Sequence, residues 1–96
     1  MKYVRSHSAN QLCRVKRDEL VDILRKGTTS MPGCQSYVIA YDSNNPNAIW
    51  ITEVWDTKES HAASLNLPDV QSAISQGQTM ILGFGSRVET SPIHLA

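Results

Sequence analysis

Two β-favouring segments, Cys34–Tyr41 and Ala48–Trp55, flank the turn cluster Asp42-Ser-Asn-Asn-Pro-Asn47, and this arrangement limits the possible folds more than any other feature. Such a cluster between two apolar-rich runs predicts an antiparallel hairpin. With a symmetric loop, Tyr41 pairs near Ile49, Ile39 near Ile51 and Tyr37 near Glu53. On the opposite face Ser36, Val38 and Ala40 meet Val54, Thr52 and Trp50. A sheet with one wet face alternates apolar with charged side chains. Neither face of this hairpin does. Both need cover.

The flanking segments supply half of it. Within Lys16–Lys26, Leu20, Ile23 and Leu24 fall at helical spacing, with Asp18 and Glu19 expected in the first turn and Arg25 and Lys26 in the last. Gly27 is placed to be the glycine just past the helix end. Asp56-Thr-Lys-Glu59 has capping-box spacing, so a second helix starts about Thr57. Pro68 suits the first position of a further helical stretch that points Val70, Ala73 and Ile74 inward and ends at Gly77. Strands over about 2–9, with Tyr3, Arg5 and His7 on one side and Val4 on the other, and from Met80 onward complete the order β-α-β-β-α-β. The expectation is an α+β, ferredoxin-like domain with a four-stranded antiparallel sheet. Its helices cover one face only. The face bearing Trp50, Thr52 and Val54 is expected to meet the same face of a second chain, making a homodimer. No linker or repeat divides residues 1–96, and the chain after about residue 91 is expected to be a loose tail.

Charge excludes some partners. Nine basic and nine acidic residues cancel, whereas nucleic acid and anionic membranes reward clustered Lys and Arg. No run approaches the roughly 18 apolar residues of a membrane span, and the N-terminus lacks a signal-peptide apolar core. Cys13 and Cys34 have neither metal-site nor disulfide-framework spacing, and unpaired thiols suit a cytoplasmic location.

The sequence contains no phosphate loop, nucleophile elbow or metal-spaced histidine pair. The informative stretch is Ile51-Thr-Glu-Val-Trp-Asp-Thr-Lys-Glu-Ser-His61. Strand parity puts Ile51, Glu53 and Trp55 on the face of Tyr37 and Tyr41, and His61 lies about a turn into the following helix, on the side that packs back over this face. Singly, each residue has a bland explanation: a core aromatic, an ion-paired carboxylate, a satisfied histidine, ordinary strand tyrosines. Together they can line one mostly apolar space with a few polar groups, the usual makeup of a small-molecule pocket.

These same stretches carry a family resemblance. Lys16–Leu24, Met31-Pro-Gly-Cys-Gln-Ser-Tyr-Val-Ile-Ala-Tyr-Asp42, Ile49-Trp-Ile-Thr-Glu-Val-Trp-Asp56 and Ser60-His-Ala-Ala-Ser-Leu-Asn-Leu-Pro68 onward resemble the antibiotic biosynthesis monooxygenase (ABM) domain of the dimeric α/β-barrel superfamily. The proline-glycine entry to the second strand and the Glu-x-Trp exit from the third are its most specific parts. The resemblance implies a homodimer that oxidises small phenols, quinols or polyketide rings with dioxygen, using neither metal nor flavin. It implies an aromatic residue at Trp55 and a proton-handling one at His61; joined to the shared strand face, it gives His61 as the expected base with Glu53 orienting it, and Trp55, Tyr37, Tyr41, Ile51 and Ser64 as the expected substrate-binding residues. Many relatives carry histidine at the position of Ser64. The haem-degrading branch has tryptophan there, so the resemblance disfavours haem. The expected function is therefore cofactor-independent monooxygenation. A non-catalytic dimeric binding module and a small-molecule isomerase are the alternatives on the same fold.

Overall fold

Strand pairing follows the hairpin's arithmetic in the computed structural model, which describes residues 2–11 and 14–94. Strand β1 (Tyr3–Gln11) leads to helix α1 (Arg14–Gly27), then to strands β2 (Cys34–Tyr41) and β3 (Ala48–Trp55). Helices α2 (Lys58–Ser64) and α3 (Pro68–Gln78) precede the last strand, β4 (Ile81–Thr90). The fold is α+β and ferredoxin-like, with four antiparallel strands in the order β2-β3-β1-β4. In the hairpin Tyr37 pairs with Glu53, Ile39 with Ile51 and Tyr41 with Ile49. Asp42 pins this register. Its Oδ1 accepts the backbone N–H groups of Asn44 and Asn45 at 2.8 and 3.0 Å, and its Oδ2 accepts Trp50 Nε1–H at 2.8 Å.

The helices pack on the face that carries Ile49 and Ile51. Ala9, Leu20, Ile49 and Ile51 form the central cluster, with Leu24, Tyr37, Ile39, Met80 and Ile81 against it. Trp55, Leu20 and Ile49 are fully buried. The opposite face carries Trp50, Thr52 and Val54, all half-buried, and leaves Val38 and Val88 about half exposed at 50% and 51%.

Three local expectations need correction. Helix α1 begins at Arg14, two residues before the expected start, so its first turn holds no acidic residue and Asp18 and Glu19 sit further in. The second helix is capped by Thr57, whose Oγ1 accepts Ser60 N–H at 3.1 Å, so the capping frame is one residue later than Asp56-x-x-Glu59. Gly27 does not adopt the left-handed conformation of a terminating glycine; only Gly33 does, with φ +83°. Instead Gly27 ends α1 where α3 crosses it, and a Cβ there would sit 2.5 Å from Ala73 Cβ and 3.0 Å from Asp69 O. Its missing side chain lets two helices approach. Cys13 lies outside the described residues, while Cys34 is a free thiol.

Strand β4 carries a one-residue bulge. Pairing passes from His7↔Arg87 to Ala9↔Phe84, so β4 spends three residues where β1 spends two. Ser8 Oγ accepts Ser86 N–H at 2.9 Å and lies where a side chain at Gly85 would have to start. The extra residue brings Phe84 and Arg87 to the same, helix-side face.

Gly27→Ala tests the helix crossing. Alanine improves helix propensity by up to about 1 kcal/mol, but forcing the helices apart costs roughly 1–3 kcal/mol. The expected net effect is destabilisation, read as a lower denaturant midpoint with unchanged slope. Gly77→Ala, whose Cβ would meet only the flexible Leu20 Cδ1 at 2.9 Å, should cost less.

Candidate functional site

Between the sheet and the helices lies a cavity of about 270 Å³, just below the roughly 300–1,000 Å³ usual for ligand pockets. Leu20 and Leu24 of α1, Ile49 and Ile51 of β3, and Val70 and Ile74 of α3 form its apolar walls. Arg5, His7, Tyr37 and Glu53 make one polar end. Its mouth is marked by Leu65, Ile74 and Phe84, which line it and are exposed. A wider groove of about 530 Å³ runs along α1 and α3 past Glu19, Asp22, Lys26 and Asp69. Its charges face solvent, and it contains no buried titratable group.

Glu53 organises the polar end. Strand β1 lies beside β3, and their register sets Arg5 against Glu53, His7 against Ile51 and Tyr3 against Trp55. Glu53 Oε2 accepts from Arg5 Nη1 at 3.0 Å and contacts His7 Nε2 at 2.9 Å, while Oε1 accepts Trp55 Nε1–H at 3.0 Å. His61 Nε2 stands 3.9 Å from Oε1. Burial alone would raise the Glu53 carboxyl. Hydrogen bonds from His7 and Trp55 and the Arg5 charge outweigh it and hold the group below the usual carboxylate range. Burial pushes the His61 imidazole below its ordinary value despite the pull of Glu53. Burial, aided by the Glu53 charge, pushes the Tyr37 phenol far up, so this hydroxyl stays protonated. The site therefore holds an ionised carboxylate, a neutral His61 and a phenol that donates.

The structure gathers some of the residues expected from sequence and disperses others. Glu53, Tyr37 and Ile51 line the cavity. Trp55 is fully buried, so its indole holds Glu53 from behind and presents no face to the cavity. His61 sits behind Glu53 as well, its ring 5.5 Å from that of Trp55 and 5.6 Å from that of Tyr3. Ser64 is buried and donates to His61 O at 2.6 Å. Tyr41 is 53% exposed, stacks under the Arg17 guanidinium at 3.8 Å and donates to Asp18 Oδ1 at 2.8 Å, tying β2 to α1. The two residues missing from the sequence-based site are Arg5 and His7. The signal was present: the alternation Tyr3, Arg5, His7 on a first strand that the ferredoxin-like order sets beside the third.

Among the described residues no three His, Cys, Asp or Glu side chains converge as a metal site would, and no helix is long and apolar enough to cross a membrane.

A sheet roofed by helices, with a small apolar cavity closed at one end by a charged network, makes this an α+β domain of ferredoxin-like fold. The family model for antibiotic biosynthesis monooxygenase matches residues 11–76, and the chain belongs to this ABM family. A structure from Chloroflexus aurantiacus J-10-fl, provisionally named an antibiotic biosynthesis monooxygenase, is 46% identical over all of this chain and 97% of that one, with a TM-score of 0.94. Rv0793 from Mycobacterium tuberculosis shares the fold at 13% identity, covering 100% of this chain and 99% of that one, with a TM-score of 0.82. SnoaB from Streptomyces nogalater, a cofactor-independent oxygenase, does so at 7% identity, covering 98% and 95%, with a TM-score of 0.79. No curated protein sequence matches the chain.

The network makes acid stability predictable. Glu53 has a lowered pKa in the folded state, so its contribution is complete above the unfolded value of about 4.3 and is lost as pH falls through the folded one. His61 is also lowered, so the unfolded chain binds its proton first and stability declines as pH falls past about 6.5. Both act in the same direction. Melting temperature should fall on acidification from pH 7, in two stages. Glu53→Gln should cost roughly 1–3 kcal/mol at pH 7 and flatten the lower stage, as followed by thermal melts across the pH range.

Proposed function

We propose that this protein is a cofactor-independent monooxygenase that oxidises a small phenol, hydroquinone or polyketide-like aromatic with dioxygen. The observation that carries the reading is the ionised Glu53, flanked by two imidazoles, at the polar end of an otherwise apolar cavity. Spin-paired organic molecules react slowly with triplet dioxygen unless a one-electron route opens. Deprotonating an electron-rich phenol opens one, because the anion is the better electron donor. A neutral imidazole is suited to take that proton near pH 7, and a carboxylate fixed beside it stabilises the imidazolium that results. Glu53 and the two imidazoles on its oxygens, His61 on one side and His7 on the other, are assigned to this proton-handling group. Tyr37 donates to a substrate oxygen, and Ile51 and the helix side chains exclude water from the ring. Trp55 and Ser64 support Glu53 and His61 from behind. Family membership supports the reading, as does the fold shared with the oxygenase SnoaB.

Dioxygen uptake tests it. With an electron-rich hydroquinone, the protein freed of metal by chelation and of flavin by dialysis should consume oxygen, with a rate that rises through an ionisation near neutrality. Ligand binding without uptake would instead make the protein a binding module. Solvent deuterium entering the substrate without uptake would make it an isomerase.

The same proposal includes a homodimer in the cytoplasm. The face carrying Trp50, Thr52 and Val54 continues into Val38 and Val88, both half exposed, and an apolar strip of this kind on a sheet is suited to a self-complementary contact. Sedimentation at micromolar concentration should give twice the 10.6 kDa chain mass. Val54→Lys should yield monomer and cost several kcal/mol of assembly, because it buries an unpaired charge.

A further inference from the structure

Two imidazoles flank Glu53, and only one of them reaches the cavity. His7 lines it, and its Nε2 contacts Glu53 Oε2 at 2.9 Å and Arg5 Nη1 at 3.1 Å. The chemistry of these partners fixes the tautomer. A carboxylate oxygen only accepts, and a guanidinium nitrogen only donates. If Nε2 were the bare nitrogen it could accept from Arg5, but its lone pair would then face a carboxylate at hydrogen-bond distance. Nε2 must carry a proton directed at Oε2, with Arg5 donating to the same oxygen at 3.0 Å. In the neutral ring, Nδ1 is then the bare nitrogen. Among the described residues the His7 side chain makes no other hydrogen bond. Nor is Nδ1 sealed off: among the described residues, the buried side-chain nitrogens without a partner are Arg5 Nε and Arg17 Nε. His7 thus lines the cavity on a ring held by a carboxylate, and its second nitrogen has no protein partner among the described residues.

The other candidates for the base are less well placed. Glu53 has both oxygens engaged, by Trp55 on one and by Arg5 and His7 on the other. Tyr37 keeps its proton. His61 does not line the cavity, and Glu53 stands between it and the ligand space.

We propose that His7 is the catalytic base, that Glu53 is its positioning carboxylate, and that the substrates are one- or two-ring phenols with a hydroxyl at the polar end. In this step the phenol O–H bond breaks, the proton moves to His7 Nδ1, and a phenolate and an imidazolium replace the neutral pair. The imidazolium keeps its Nε2–H on Glu53, so the new positive charge forms beside an existing negative one. The other charges nearest His7 are Arg5 on its own strand and Arg87, its pairing partner on β4. Both favour the phenolate. Volume sets the scale: a cavity of about 270 Å³, just below the usual range of ligand pockets, suits a small aromatic ring system. The proposal rests on the oxygenase reading only for what becomes of the phenolate.

Its test therefore avoids oxygen. A nitrophenol, whose anion absorbs visible light, is titrated against the protein anaerobically at a pH where the free dye is mostly protonated. The wild type should bind it and raise the anion band. His7→Gln should lower the bound anion fraction at least tenfold, Glu53→Gln should lower it less, and His61→Gln should have the smallest effect of the three. In parallel, nitrogen NMR of the histidine-labelled wild type should show His7 as the Nε2–H tautomer, a readout that needs no variant to fold. An anion band that survives His7→Gln, a larger loss in His61→Gln than in His7→Gln, a proton on His7 Nδ1, or failure of the dye to bind would each overturn the proposal. Failure of dioxygen uptake with the anion band intact would overturn the oxygenase reading and leave His7 as the base.

Discussion

A carboxylate withdrawn from bulk water needs donors on both oxygens, and the region around the cavity is built to supply them to Glu53. The donors come from two neighbouring strands: Arg5 and His7 from β1 and Trp55 from β3. Removing the charge would leave those donors facing one another in a space of low dielectric, where unpaired polar groups are costly. The network therefore ties the central strand pair together at the polar end of the cavity. An ion pair this enclosed adds little net stability compared with an apolar core of the same volume. What it provides is a fixed orientation for two imidazoles and an indole.

The division of labour follows from which carboxylate oxygen each partner uses. Oε2 holds Arg5 and His7, which line the cavity, and Oε1 holds Trp55, with His61 near it and Tyr3 packed on His61. One side can meet a ligand, and the other fixes the geometry that ligand meets. Trp55 and His61, prominent in the sequence, belong to the second side. Their packing at ring distances of about 5.5 Å explains how a small domain holds a buried charge without distortion.

Much of this was legible in the sequence. The hairpin's register, its two apolar faces, Pro68 at the start of a helix and the shared face of Tyr37, Ile51 and Glu53 all follow from period-two alternation and turn chemistry, which are local. The features that were not legible depend on what another element does. Gly27 looked like a helix terminator because glycine is usually that, whereas the crossing of α3 is invisible from α1 alone. Tyr41 shares a strand face with Tyr37 but is drawn to the rim by Arg17 and Asp18, which belong to α1. Arg5 and His7 sit in β1, whose largely polar sequence carries little strand signal. Their importance appears only once β1 is laid against β3, which sets Arg5 against Glu53, 48 residues along the chain.

The surplus residue in β4 has a consequence for how such a site can change over time. In a regular strand, every side chain is committed to a face by its neighbours, and a shift of one position inverts them all. Here the strand is already out of phase with itself at Gly85 and Ser86. The stretch from Ile81 to Phe84 borders the cavity mouth, while Arg87 and Glu89 pair opposite His7 and Arg5. The bulge separates the two stretches, and a second register shift lies between Gly83 and Ile81. Mutation can therefore reshape the cavity mouth through residues such as Phe84 while Arg87 and Glu89 keep their places opposite the charged end, so the shape of the opening and the charge behind it are free to drift independently.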